Sequence, residues 1–128
     1  MMLLLDTHTL LWAFYEPERL PAGTRKVFLA SQNQLFCSIA SIWEISIKLA
    51  LGKLKLGSAG MKGLKSELST NRIQLLPIEF LHCEILSDLP FHHRDPFDRL
   101  LAAQALALEV PIISTDPIFE KYGIKRQW

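Results

Sequence analysis

The stretch Leu3-Leu4-Leu5-Asp6-Thr7-His8-Thr9-Leu10-Leu11-Trp12 changes character at its fourth residue. Before Asp6 stand three consecutive leucines, a short apolar run of the kind that fills a strand buried on both faces. After it, Leu10, Leu11, Phe14 and Tyr15 recur at helical spacing from His8 to Tyr15, with Thr7 as the expected helix cap. A buried strand, a carboxylate at its end and a helix directly behind it make the first half of a β–α–β unit.

The same alternation continues along the chain. After a loop punctuated by Pro17 and Pro21, the pattern predicts a helix over Ala22–Ser31 and a second strand over Gln34–Ser38. Ser38 or Ser41 can cap the apolar helix that follows, which runs to Leu51 and ends at Gly52. Further elements are a helix over Met61–Asn71, a strand over Ile73–Leu76 and a helix over Glu79–Asp88. Asp95-Pro96 opens a helix that reaches Glu109, because Asp caps well and Pro suits the first helical position. Pro111–Ser114 reads as the fourth strand, Asp116–Tyr122 as a short helix and Ile124–Gln127 as an edge strand. Short apolar runs alternating with helices predict one α/β domain over residues 1–128. It would be a three-layer α/β/α fold around a mainly parallel sheet.

Composition narrows the class. With 128 residues, 49% of them hydrophobic, the chain can bury a substantial core. No apolar run approaches the ~20 residues of a membrane span, and the opening lacks the basic leader and cleavage site of a secretory signal. Cys37 and Cys83 have no CxxC spacing and lie among apolar residues, so they read as buried reduced thiols of a cytoplasmic protein. Net charge is +1, but it is segregated. Ile45 to Ile78 holds six basic residues and one acid, leaving eight of the fourteen basic residues and twelve of the thirteen acids elsewhere. A positive rim beside a negative centre suits a phosphate-backbone ligand.

In open parallel sheets, ligands bind outside the carboxyl ends of the strands. Asp6 ends the first strand and Asp116 follows the fourth. Glu44 lies about one turn into the helix after the second strand, and Asp98 in the first turn of the helix opened by Asp95-Pro96. Each alone fits a cap or an i,i+4 ion pair such as Glu44 with Lys48; together they bring four acids to one edge. Like charges ~4 Å apart repel by about 4 kcal/mol at an effective dielectric of 20, more than helix N-termini offset. A divalent cation balances them. Oxygen ligands favour Mg²⁺ or Mn²⁺, and no His/Cys set has zinc spacing. His92 and His93, in the loop before Asp95, could contact phosphate or carry a proton.

Those residues also resemble a known family. Leu3-Leu4-Leu5-Asp6-Thr7 is similar to the opening motif of PIN-domain nucleases, and Ser41-Ile42-Trp43-Glu44-Ile45 to their second acidic motif. Asp98-Arg99-Leu100-Leu101-Ala102-Ala103-Gln104-Ala105 resembles the third, and Ser114-Thr115-Asp116 followed by Phe119 the fourth. The resemblance spans nearly the whole chain and is greatest to VapC-type toxins, ribonucleases held inactive by a cognate antitoxin. It implies a sheet of about five strands, an Mg²⁺ or Mn²⁺ site, RNA cleavage, a homodimer and an antitoxin partner. Carried over by position, Asp6, Glu44 and Asp98 would be core metal ligands, and Asp116 a fourth acid acting more through water. Thr7 and Ser114 would hold the ligands by hydrogen bonds, and Lys48, Lys53 and Arg99 would contact the RNA backbone. His8, where many relatives carry Asn or Ser, marks a subgroup; Asp95 adds an acid beside Asp98, whose spacing to Ala102-Ala103 fits the motif better.

Two rival classes fit less well. An aspartyl-nucleophile phosphatase would carry a second Asp where His8 stands and a late lysine and paired acids that are missing. A non-catalytic PIN-like domain that only binds RNA or protein would have no need to keep four like charges together.

Overall fold

A computed structural model of residues 1–128 shows why three leucines in a row suffice to start this fold: Leu3, Leu4 and Leu5 are all fully buried. In chain order the elements are β1 (Met2–Leu5), α1 (Thr7–Tyr15), α2 (Ala22–Leu29), β2 (Gln34–Ser38), α3 (Ile39–Ala50), α4 (Gly60–Thr70), β3 (Gln74–Leu76), α5 (Phe80–Asp88), α6 (Pro96–Leu108), β4 (Ile112–Ile113) and β5 (Arg126–Gln127). Short 3-10 helices occupy Pro17–Arg19 and Pro117–Tyr122. The strands form one sheet in the order β3-β2-β1-β4-β5, with every neighbouring pair parallel. No helix is long and apolar enough to cross a membrane.

Because side chains alternate along a strand, β1 sends its leucines to two separate cores. Leu3 and Leu5 join Leu35, Cys37 and Ile113 beneath residues of α1, α3 and α4, among them Leu10, Ile45 and Leu64. Leu4 and Ile112 face the other way, onto Leu101, Ala102 and Ala105 of α6 and onto Phe119. The expected three-layer α/β/α architecture is the one observed. Its sheet is wholly parallel.

The local signals act largely as read. Ser38 caps α3 by accepting from the Ala40 N–H at 3.0 Å, and Gly52, at φ 71°, ends the turn that follows. Asp95 caps α6 through the amides of Phe97 and Asp98, with Pro96 at the first helical position. Some expectations need correction. The cap of α1 is Asp6, not Thr7: the Asp6 carboxylate, held at the strand end, already reaches the Thr9 amide. Residues Pro117–Tyr122 wind as a 3-10 helix, stopped by Gly123 at φ 83°. Cys37 is buried, which pushes its thiol up to about 12. Cys83 is exposed, since α5 turns it outward with Phe80 and Leu81. Both are free thiols.

Truncating one β1 leucine should damage a core that cannot close over the gap. Leu4→Ala is expected to destabilise the chain by about 2–5 kcal/mol, read as a lower urea midpoint at unchanged slope. Leu29→Ala, at an exposed position of α2, should shift stability by less than about 0.5 kcal/mol.

Candidate active site

The sheet order reverses direction at its centre. From β1 the chain steps outward to β2 and β3, then crosses back to β4 and β5 on the other side of β1. The loops leaving β1 and β4 therefore open side by side at the carboxyl edge, where an open α/β sheet forms its crevice.

Asp6 stands at the end of β1. Its amide donates to the Ile113 carbonyl of β4 at 3.1 Å, and Oδ1 accepts from the Thr9 amide at 2.7 Å. Oδ2 accepts a short hydrogen bond from the Ser114 hydroxyl, whose oxygen in turn accepts from the Asp116 amide at 3.0 Å. One hydroxyl thus ties together the two strand ends and two of the expected acids. Asp116 Oδ1 caps the following 3-10 helix through Ile118 N–H at 2.9 Å, and Oδ2 lies 2.7 Å from His93 Nε2.

Glu44 comes in from α3. It makes the i,i+4 pair with Lys48 that a surface helix would show, at 2.8 Å, yet Glu44 itself is only 5% exposed. Asp98 sits in the first turn of α6, where Asp95 does the capping and leaves the Asp98 carboxylate free for the crevice. The ligand atoms of His93, Asp98 and Asp116 all lie within 4.8 Å of one another. The carboxyl of Asp98 is pushed up to about 7, first by burial and then by Asp95, with Glu44 and Asp6 pushing the same way and His93 opposing. Asp6 and Glu44 lie outside that group of three and are the lesser influences on the Asp98 carboxyl. The carboxylate oxygens gathered here, with the buried His93 imidazole beside them, fit a hard divalent cation.

Other expected residues lie differently. The Thr7 hydroxyl donates to Ser41 Oγ at 2.9 Å, joining α1 to the first turn of α3, and not to a carboxylate. Lys53 is exposed beyond the end of α3. Arg99, expected to contact RNA, is buried instead. Its guanidinium donates to the carbonyls of Leu86, Leu89 and Pro90 and lies under the Phe91 ring, so it closes the carboxyl end of α5. The first turn of α6 points Arg99 away from the crevice, toward carbonyls at and just beyond the end of α5, two of which also accept a backbone amide. His93 emerges as the residue the acidic pattern omits. Its partners Tyr122 and Phe119 arrive from a segment more than 25 positions later, so no local spacing separates it from His92.

The PIN domain family model matches residues 3–125. The chain belongs to the PIN domain family. Among solved structures, this PIN domain is similar to a chain of VapBC2 from Rickettsia felis, solved bound to a DNA fragment from its promoter. The TM-score is 0.76 at 17% identity, covering 99% of this chain and 98% of the other. DNA-bound VapBC from Salmonella typhimurium gives 0.73 at 16% identity over 99% and 97%. VapBC-1 from nontypeable Haemophilus influenzae gives 0.69 at 21% over 99% and 97%. At these identities the likeness is one of fold, and it runs end to end. No curated protein sequence matches the chain.

The raised Asp98 carboxyl makes stability depend on pH with a definite sign. A carboxyl whose folded value lies above its unfolded one contributes stability that is full below the unfolded value and lost as pH rises through the folded value. The metal-free protein should therefore lose stability between about pH 4 and pH 7 on this group's account. Full burial would make the loss about 4 kcal/mol; Asp98 is part-exposed, and screening brings it to about 1–2 kcal/mol. Asp98→Asn should remove that slope and raise the melting temperature at pH 8, measured by thermal unfolding in EDTA. An unchanged slope would show that Asp98 carries no such strain.

Proposed function

We propose that this PIN domain is a divalent-metal-dependent endoribonuclease and the toxin of a VapC-type toxin–antitoxin pair. The observation that carries the reading is that Asp98 of α6 and Asp116 beyond β4 bring carboxylate oxygens within 4.8 Å of each other beside His93, with Asp6 tied to Asp116 through Ser114. Asp6, Glu44 and Asp98 would hold Mg²⁺ or Mn²⁺, with Asp116 contributing directly or through water. An ion in that place supplies Lewis-acid polarisation of the phosphodiester and offsets the charge that develops on it.

The chain's own groups do the remaining work. The bonds from Ser114 and Thr9 fix both oxygens of Asp6, so its carboxylate would meet an incoming cation without reorganising. Asp116, beside Asp98, orients the attacking water and takes its proton. Lys48, bonded to Glu44, and Lys53 beyond it hold the RNA backbone, contacts that position a substrate without reading its sequence. Arg99 has no part in this, because its donors are committed to carbonyls.

The toxin assignment draws support from the fold neighbours, which were solved as VapBC assemblies. An apolar groove between α3 and α4, walled by Ile42, Leu64 and Leu75 and flanked by Lys62 and Lys65, suits an acidic, partly apolar antitoxin segment. The homodimer draws support from α3. Ile39, Trp43, Ile47 and Leu51 recur every four residues and are all exposed, an apolar stripe along one helix face.

Purified protein should cleave a mixed pool of structured RNAs in Mg²⁺ or Mn²⁺ and not in EDTA, and Asp6→Asn should abolish the cleavage with the circular dichroism spectrum unchanged. Full activity of the folded Asp6→Asn variant would remove Asp6 from the mechanism. No cleavage with any metal, from protein free of antitoxin, together with no Mn²⁺ binding, would mean a binding domain and not a nuclease. In sedimentation, the wild type should run as a dimer and Ile47→Glu/Leu51→Glu as a monomer; a dimer that survives both charges places its interface elsewhere.

A further inference from the structure

His93 lies in the loop ahead of α6, only 6% exposed. Its ring stacks on Tyr122, with centroids 5.5 Å apart and planes 16° from parallel, and leans on Phe119 at 4.7 Å. The Tyr122 hydroxyl oxygen is 2.9 Å from the His93 amide nitrogen and 3.0 Å from its Nδ1. The amide can only donate, so it uses a lone pair of the phenol oxygen. The phenol proton then points at Nδ1, the protein acceptor within its reach. In the neutral ring, an accepting Nδ1 puts the proton on Nε2. That nitrogen faces Asp116 Oδ2 at 2.7 Å, the length of a hydrogen bond to a carboxylate.

We infer that His93 is a positioning residue: Tyr122 fixes its tautomer, and its Nε2–H holds the Asp116 carboxylate in common reach of Asp98 against their mutual repulsion. Asp116 is then fixed on three sides, by His93 at Oδ2, by Ile118 N–H at Oδ1 and through its own amide to Ser114. Repulsion from Asp98 would otherwise swing the Asp116 side chain toward solvent. The inference rests on the acids being a divalent-metal site and assigns a task to a side chain outside the ligand set. Donors of this kind, bonded to a ligand, commonly carry 10–100-fold in metal affinity.

The test is Mn²⁺ titration calorimetry on the full chain at one pH without RNA, comparing wild type with His93→Phe and His93→Gln. Phe keeps an aromatic ring between Phe119 and Tyr122 but has no donor; Gln gives up the ring and offers an amide N–H near the place of Nε2. His93→Phe should bind Mn²⁺ about 10–100-fold more weakly, and His93→Gln should recover most of that loss. Wild-type affinity in His93→Phe would reduce the ring to packing. Equal weakness in both folded variants would make the imidazole nitrogen itself a ligand. Either result overturns the inference. Nitrogen-15 NMR of the metal-free wild type and Tyr122→Phe reads the tautomer directly. It should find the proton on Nε2 in the neutral wild-type ring and a mixture once the hydroxyl is gone; a proton on Nδ1 in the wild type overturns the inference. A wild type that binds no Mn²⁺ brings down the metal reading separately, since the NMR result does not depend on it.

Discussion

Carboxylates ~4 Å apart repel by about 4 kcal/mol at a dielectric of 20, a large part of a small domain's net stability, and Asp98 and Asp116 have ligand atoms within 4.8 Å of each other. Most of the structure around the crevice serves to hold them there. The Ser114 hydroxyl is the central tie, donating to Asp6 and accepting from the Asp116 amide. Helix termini add to it. Asp6 and Asp116 each accept from the amides of the helices they open, so groups that would swing away from one another are anchored by backbone that has no other partner. Asp98 lacks such an anchor, and burial first, then its acidic neighbours, raise its carboxyl.

This arrangement works only because the sheet is stiff and central. The two cores on either side of β1 fix the strand ends relative to α1 and α6, so the acids are carried by rigid elements and not by loop tips. Supports at a greater distance follow the same logic. Arg99 fastens the carboxyl end of α5 beneath the first turn of α6, and the Thr7–Ser41 bond joins α1 to the helix that carries Glu44. Residues adjacent in sequence to the acids thus divide into those that face the crevice and those that hold its walls. Family motifs run across both kinds, which is why Arg99 next to Asp98 reads as a substrate contact in the sequence and proves to be a strut.

The two halves of the proposed function rest on different parts of the molecule. The proposed RNA cleavage would depend on the crevice. The proposed association would depend on α3 and α4, which carry an apolar stripe and line an apolar groove. A partner seated on either would act on the helix that carries one of the proposed ligands, which links assembly to the site through a single element.

Periodicity and capping chemistry are local, and what they specify could be read directly. The leucines of β1, the Gln34–Ser38 strand, the Asp95-Pro96 helix start and the Gly52 stop are each decided within a few residues, because hydrogen-bond rings and side-chain alternation are short-range. The mainly parallel sheet followed too, since helices between strands supply the crossovers that parallel pairing needs. Which neighbour faced the crevice could not be read. Arg99 turned away because α5 left carbonyls beneath it, Cys83 turned outward because its helix packs through another face, and the cap of α1 fell to Asp6 because β4 had already fixed it. The place of His93 was decided by Tyr122, 29 residues later. The sequence by itself determined the elements, their alternation and the acids at their ends. Tertiary structure alone decided how those acids are held and which neighbours join them, because those contacts form between segments that meet only when the sheet is assembled.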